Sequence, residues 1–79
     1  MKLRLTGFLP EPTHDDRVKY KIFFKESLEN SALTIMGWAH LDEALGGEQE
    51  LTADQAIRFA ELLDEPQLVS LTLFIGCVA

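Results

Sequence analysis

The chain is poor in several things: among its 79 residues are one cysteine, three prolines, one tyrosine, one tryptophan and seven basic side chains. Each shortage removes a class of answer. A lone cysteine, Cys77, cannot close an internal disulfide, and small extracellular domains usually rely on several. A reduced, cytosolic protein is the expectation, with Cys77 as a small core hydrophobe. The longest apolar stretch, residues 68–78, is broken by Ser70, Thr72 and Gly76. It reaches only about half the length of a membrane-spanning helix. Lys2 and Arg4 sit among the first leucines and Pro10 ends that run, so no secretory leader is expected. Cys77 stands third from the end, one place short of a prenylation motif.

What is present is the composition of a packed domain. Hydrophobic residues make up 47% and charged residues 25%, which excludes disorder and points to one domain over residues 1–79. The net charge is −6, unevenly spread. Residues 1–25 hold six of the seven basic side chains (Lys2, Arg4, Arg17, Lys19, Lys21 and Lys25) against Glu11, Asp15 and Asp16, a local balance of +3. Residues 26–79 hold only Arg58 against ten acids, a balance of −9 that accounts for the rest. Such an excess disfavours nonspecific binding to nucleic acid or anionic lipid and suits a protein partner.

Period-two patterning marks the strands. Leu3 and Leu5 alternate with Lys2, Arg4 and Thr6. A loop over residues 10–16 follows, punctuated by Pro10 and Pro12. Over residues 17–25, Val18, Tyr20, Ile22 and Phe24 face one way and Arg17, Lys19, Lys21, Phe23 and Lys25 the other. Residues 26–30 read as a turn, and residues 31–39 as a third strand setting Leu33, Ile35 and Gly37 against Ala32, Thr34, Met36 and Trp38. Residues 40–50 admit either a loop or one helical turn stopped by Gly46 and Gly47.

The helix signal comes next. Thr52 is a good N-cap with Gln55 as its capping-box partner, and Pro66 ends the helix near Asp64. Ala53, Ala56, Ile57, Phe59, Ala60 and Leu63 share one arc of this helix, while Asp54, Arg58, Glu61 and Glu65 lie opposite. Residues 68–77 return to strand chemistry, with Val69, Leu71, Leu73, Ile75 and Cys77 on one side. The expected fold class is α+β: a four-stranded, mostly antiparallel sheet in the order β-β-β-α-β, with one helix packed on one face. The last strand is expected beside the first and parallel to it.

One helix covers one face only, so the other should present Arg17, Lys19, Lys21, Phe23, Met36, Trp38 and Phe74. Three covers suit that face: residues 40–51 folded over it, a second copy of the chain, or a different protein. The candidate partner-binding residues are therefore Phe23, Met36, Trp38 and Phe74 on the sheet, with Asp54, Glu61, Asp64 and Glu65 on the exposed helix face.

Signals for chemistry are weak. His14 and His40 lie in separate loops among acids without three converging ligands, so no metal or cofactor site is expected. His40 beside Asp42 has no nucleophile near it, and Ser27 and Ser70 lack the glycines of a nucleophile elbow. Gly46-Gly47 has no following lysine to hold phosphate. The expected function is a small, acidic, non-catalytic protein-binding module, most concretely a stoichiometric inhibitor or adaptor for a basic protein, with a homodimer as a further option. The alternatives are a nucleic-acid-binding domain using Arg4, Arg17, Lys19 and Lys21, and an enzyme subunit whose site forms at a dimer interface.

Overall fold

Alternating side chains build the centre of the molecule. The computed structural model describes residues 2–10 and 17–78. Strand β1 (Lys2–Phe8) lies between β2 (Tyr20–Phe23) and β4 (Thr72–Val78), and a two-residue β3 (Gln49–Glu50) closes the far edge, giving the order β2-β1-β4-β3. Every pairing is antiparallel, and two helices complete an α+β fold. The loop expected at residues 10–16, with His14, falls outside the described residues from position 11 to 16.

Residues 31–39 are not a strand. They belong to helix α1 (Glu26–Met36), which also takes up the residues read as a turn. Leu28, Ala32, Ile35 and Met36 lie at i, i+4, i+7 and i+8, the spacing that gathers apolar groups on one helix side. Ala32 and Met36 are buried there. Glu26 and Glu29 sit in the first turn, where the helix dipole favours negative charge. Gly37 ends the helix at φ 74°, and the Gly37 and Trp38 amides donate to the Thr34 and Leu33 carbonyls, a pairing that the left-handed glycine makes possible.

Helix α2 (Ala53–Leu63) follows its sequence signals closely. The Gln55 amide donates to Thr52 Oγ1 at 3.1 Å, and the Thr52 amide donates to Gln55 Oε1 at 2.9 Å. The last strand is antiparallel to β1 rather than parallel. Residues 66–70 form a 3₁₀ segment, Pro66–Ser70, that folds back along α2 and returns the chain to the sheet end it had left. Leu51 N–H accordingly donates to the Leu73 carbonyl at 2.9 Å, just past the pairing of Glu50 with Phe74.

Both helices cover the same face. Leu3, Leu5, Leu73 and Ile75 from the sheet pack with Phe24, Ala32, Met36, Phe59 and Ala60 in one core, and the Phe24 and Phe59 rings meet at 5.6 Å. Residues 41–46 form a second 3₁₀ segment, one of the two options open from the sequence, and Ala44 joins this core instead of roofing the opposite face. Trp38 also packs against the core. Three residues assigned inward by periodicity are exposed instead: Val18 (49%), Ile57 (51%) and Val69 (55%). Val18 precedes β2, and Val69 lies in the 3₁₀ segment, where strand alternation does not apply.

Candidate interaction site

Register defines the sheet face turned away from the helices. Thr6 pairs with Lys21 on one side and with Phe74 on the other, and Phe74 pairs with Glu50. One row across that face therefore reads Lys21, Thr6, Phe74, Glu50. The next reads Phe23, Arg4, Gly76, with Glu48 just beyond. Arg4 Nη2 donates to Glu48 Oε1 at 2.7 Å, an ion pair that crosses the sheet above Gly76. A Cβ at Gly76 would stand 2.9 Å from Glu48 Cγ, so the missing side chain makes room for that contact. The Phe8 and Phe74 rings meet edge to face at 5.8 Å, and Phe23 stays 45% exposed.

Thr6 lies at the middle of this face, 4% exposed, between Arg4 and Phe8 along the strand and Lys21 and Phe74 across it. Its Oγ1 and the neighbouring Arg4 Nε are buried with no hydrogen-bond partner among the described residues.

Of the four sheet-face candidates, the structure keeps two. Phe23 and Phe74 lie on the open face; Met36 and Trp38 belong to α1 and the residue pair that ends it, and both pack with the core. A helix where a strand was expected is the physical reason. Arg4 and Lys21 share the open face, whereas Arg17 is an exposed residue ahead of β2. Lys19 donates its amide to the Gly7 carbonyl at 2.7 Å, and both Arg17 and Lys19 are engaged in further interactions.

The acidic candidates divide as well. Glu61 and Asp64 border a shallow groove of about 350 Å³ with Ile57, Ala60, Pro66 and Val69. An adjoining groove of about 270 Å³ is lined by Glu50, Leu51, Ala56, Ile57, Val69 and Leu71, among others. Ile57 and Val69 thus form a shared apolar ridge between two hollows. Asp64 takes a left-handed conformation, φ 55°, as the cap of α2, with its amide on the Glu61 carbonyl. Asp54 is paired with Arg58 at 3.1 Å, one turn along the helix. Glu65 points elsewhere: it accepts from Gln67 and lies near the Tyr20 hydroxyl. Burial pushes the Tyr20 phenol up from its usual pKa, and the Glu65 charge adds to the shift.

Sequence reasoning missed Ile57 and Val69. Both fit an apolar periodicity, so pattern alone placed them inside, and only the 3₁₀ segment after α2 turns them outward together. Beside His40, the Glu43 carboxylate accepts the backbone amides of Ala39 and His40, capping the 3₁₀ turn. Among the described residues, no three His, Cys, Asp or Glu side chains are placed to hold a metal ion. No helix among them is long and apolar enough to cross a membrane. No family model, curated protein or solved structure matches this chain.

Proposed function

We propose that this protein acts by binding a basic protein partner, without catalysis, as a stoichiometric inhibitor or adaptor. The observation that carries this reading is the exposed Ile57–Val69 ridge, flanked by two hollows, one of which Glu61 and Asp64 border. An apolar centre excludes water on contact, and an acidic rim steers a basic surface toward it and discriminates against acidic ones. The balance of −9 over residues 26–79 extends the same field over the rest of the helical side.

Charge reversal tests the reading. Immobilised protein is incubated with a lysate of its native host, washed at about 50 mM and about 300 mM salt, and compared with Glu61→Lys/Asp64→Lys. The expected result is a basic protein held in equimolar amount, released at the higher salt and retained roughly tenfold less by the variant. Equal retention by both forms would reject the acidic groove as the binding surface.

A second reading has its own observation: Arg4, Lys21, Phe8, Phe23 and Phe74 share one sheet face, as in a stacking platform for single-stranded nucleic acid. It is the weaker one, because Arg4 is spent on Glu48 and Glu50 occupies the same face, where each acid repels phosphate.

A further inference from the structure

The open sheet face differs from an ordinary solvated face in its order of charge. From one edge to the other the central row runs from Lys21 through Thr6 and Phe74 to Glu50: basic, then buried and aromatic, then acidic. The rings of Phe8 and Phe74 make the middle apolar, with Phe23 beside Lys21 on the β2 edge, and no element among the described residues joins them to the core on the other side. A surface with opposite charges at opposite edges and an apolar centre complements itself.

We propose that the occupant of this face is a second copy of the chain, docked sheet to sheet about a two-fold axis parallel to the strands. The choice of axis follows from the row. Rotation about a line along the strands between β1 and β4 exchanges the two edges, so Lys21 of one copy stands over Glu50 of the other, and the reverse. Phe74 then meets Thr6 of the partner at the centre. An axis across the strands keeps each edge on its own side and stacks lysine on lysine and glutamate on glutamate, which like-charge repulsion opposes. Aligned packing holds two sheets about 10 Å apart with strands within about 30° of each other, and leaves the row-to-row match intact.

Neither competing use of this surface fits as well. Joining copies edge to edge through β2 would bring Lys21 and the flanking Lys19 and Lys25 together, a charged edge of the kind that blocks such pairing. Nucleic acid would meet Glu50 and Glu48 on the same face as the lysine. The size of the face sets the strength. The four strands hold twenty residues, and at about 4.8 Å by about 3.3 Å each they give roughly 320 Å², well below the roughly 800 Å² per partner of a standard interface. The dimer is accordingly weak and forms only at high protein concentration.

Sedimentation equilibrium from about 10 μM to about 1 mM reads this directly. The mass is expected to climb from 8.9 kDa toward twice that value over a range set by the Kd. Lys21→Glu and Glu50→Lys each weaken association about tenfold, because each places two like-charge contacts in the symmetric interface. The exchanged pair, Lys21→Glu with Glu50→Lys, restores it. Both side chains are exposed, so circular dichroism should show every variant folded. A mass fixed at 8.9 kDa up to 1 mM overturns the proposal. So does a dimer indifferent to the reversals, or an exchanged pair that stays monomeric. A fluorescent single-stranded oligonucleotide bound at low salt by the unaltered protein and lost in Lys21→Glu assigns the face to nucleic acid instead.

Discussion

The two faces of this sheet are made from alternate residues of the same strands, yet they obey different rules. On the helix side Leu3, Leu5, Leu73 and Ile75 are sealed beneath α1 and α2, with Tyr20 and Cys77 at the margin. On the other side, one residue along, Arg4, Thr6, Phe8 and Phe74 share a surface with an ion pair, an edge-to-face ring contact and two buried polar atoms without partners among the described residues. The first face is built for stability. The second sets polar and charged groups among its rings. A residue's parity along β1 or β4 decides which face it serves, so the contrast can be broken one position at a time.

The largest effect should come from matched ring deletions. Phe59 is fully buried against Phe24, and Phe59→Ala is expected to destabilise by about 3–5 kcal/mol through lost burial and a residual cavity. Phe74 is half-buried with one ring neighbour on the open face, and Phe74→Ala should cost roughly 1–2 kcal/mol in the monomer. Urea denaturation of dilute protein measures both. Equal losses would mean that the open face packs as a second core.

Glycines offer a finer version. Gly7 turns toward the core, where an added Cβ would stand 2.9 Å from Leu71 Cδ1, 3.0 Å from Leu73 Cδ2 and 3.3 Å from Tyr20 Cβ. Gly7→Ala should therefore cost about 1–3 kcal/mol by overpacking. At Gly76 the added atom meets chiefly the flexible end of exposed Glu48, which can swing aside at the expense of the Arg4 contact. That change should cost about 1 kcal/mol, the upper end for a partly exposed ion pair. Thermal melts that rank the two in the opposite order would show the open face to be the more rigid one.

Much of this architecture is legible in the residues alone. The alternation at Leu3 and Leu5, the Thr52–Gln55 cap and the stop before Pro66 each encode a local preference that the tertiary structure leaves intact. Residues 31–39 are harder because both parities are apolar, so Ala32, Ile35 and Met36 satisfy period two and period 3.6 alike. Leu28, in the stretch whose Glu26, Ser27 and Asn30 resemble a turn, is what tips the balance to a helix. Glu61 and Asp64 are visible from a helical wheel, but their apolar neighbours are not. Ile57 and Val69 become a ridge only once the 3₁₀ segment folds back along α2. The Lys21–Phe74–Glu50 row is less legible still, because it depends on strand pairing between positions far apart in the chain.

The smallest expected effect sharpens the comparison from the helix side, where Tyr20 packs against the core and titrates. Its hydroxyl is held above the ordinary value of 10.0, first by burial and then by the negative charge of Glu65. The protonated phenol is therefore favoured more in the folded chain than in the unfolded one. Its stabilising contribution is complete below pH 10.0 and disappears as pH rises from there through the folded-state pKa. Tyr20 is the only tyrosine, so phenolate absorbance near 295 nm reports it without ambiguity. The folded protein should titrate above 10.0, and denaturant should bring the transition down. Glu65→Gln should lower the folded value only in part, leaving the share due to burial, while Tyr20→Phe should flatten the loss of stability above pH 10.0. A folded-state transition at or below that pH would mean that water reaches the phenol freely, and that the helix-side face is less sealed at its β2 margin than at its centre.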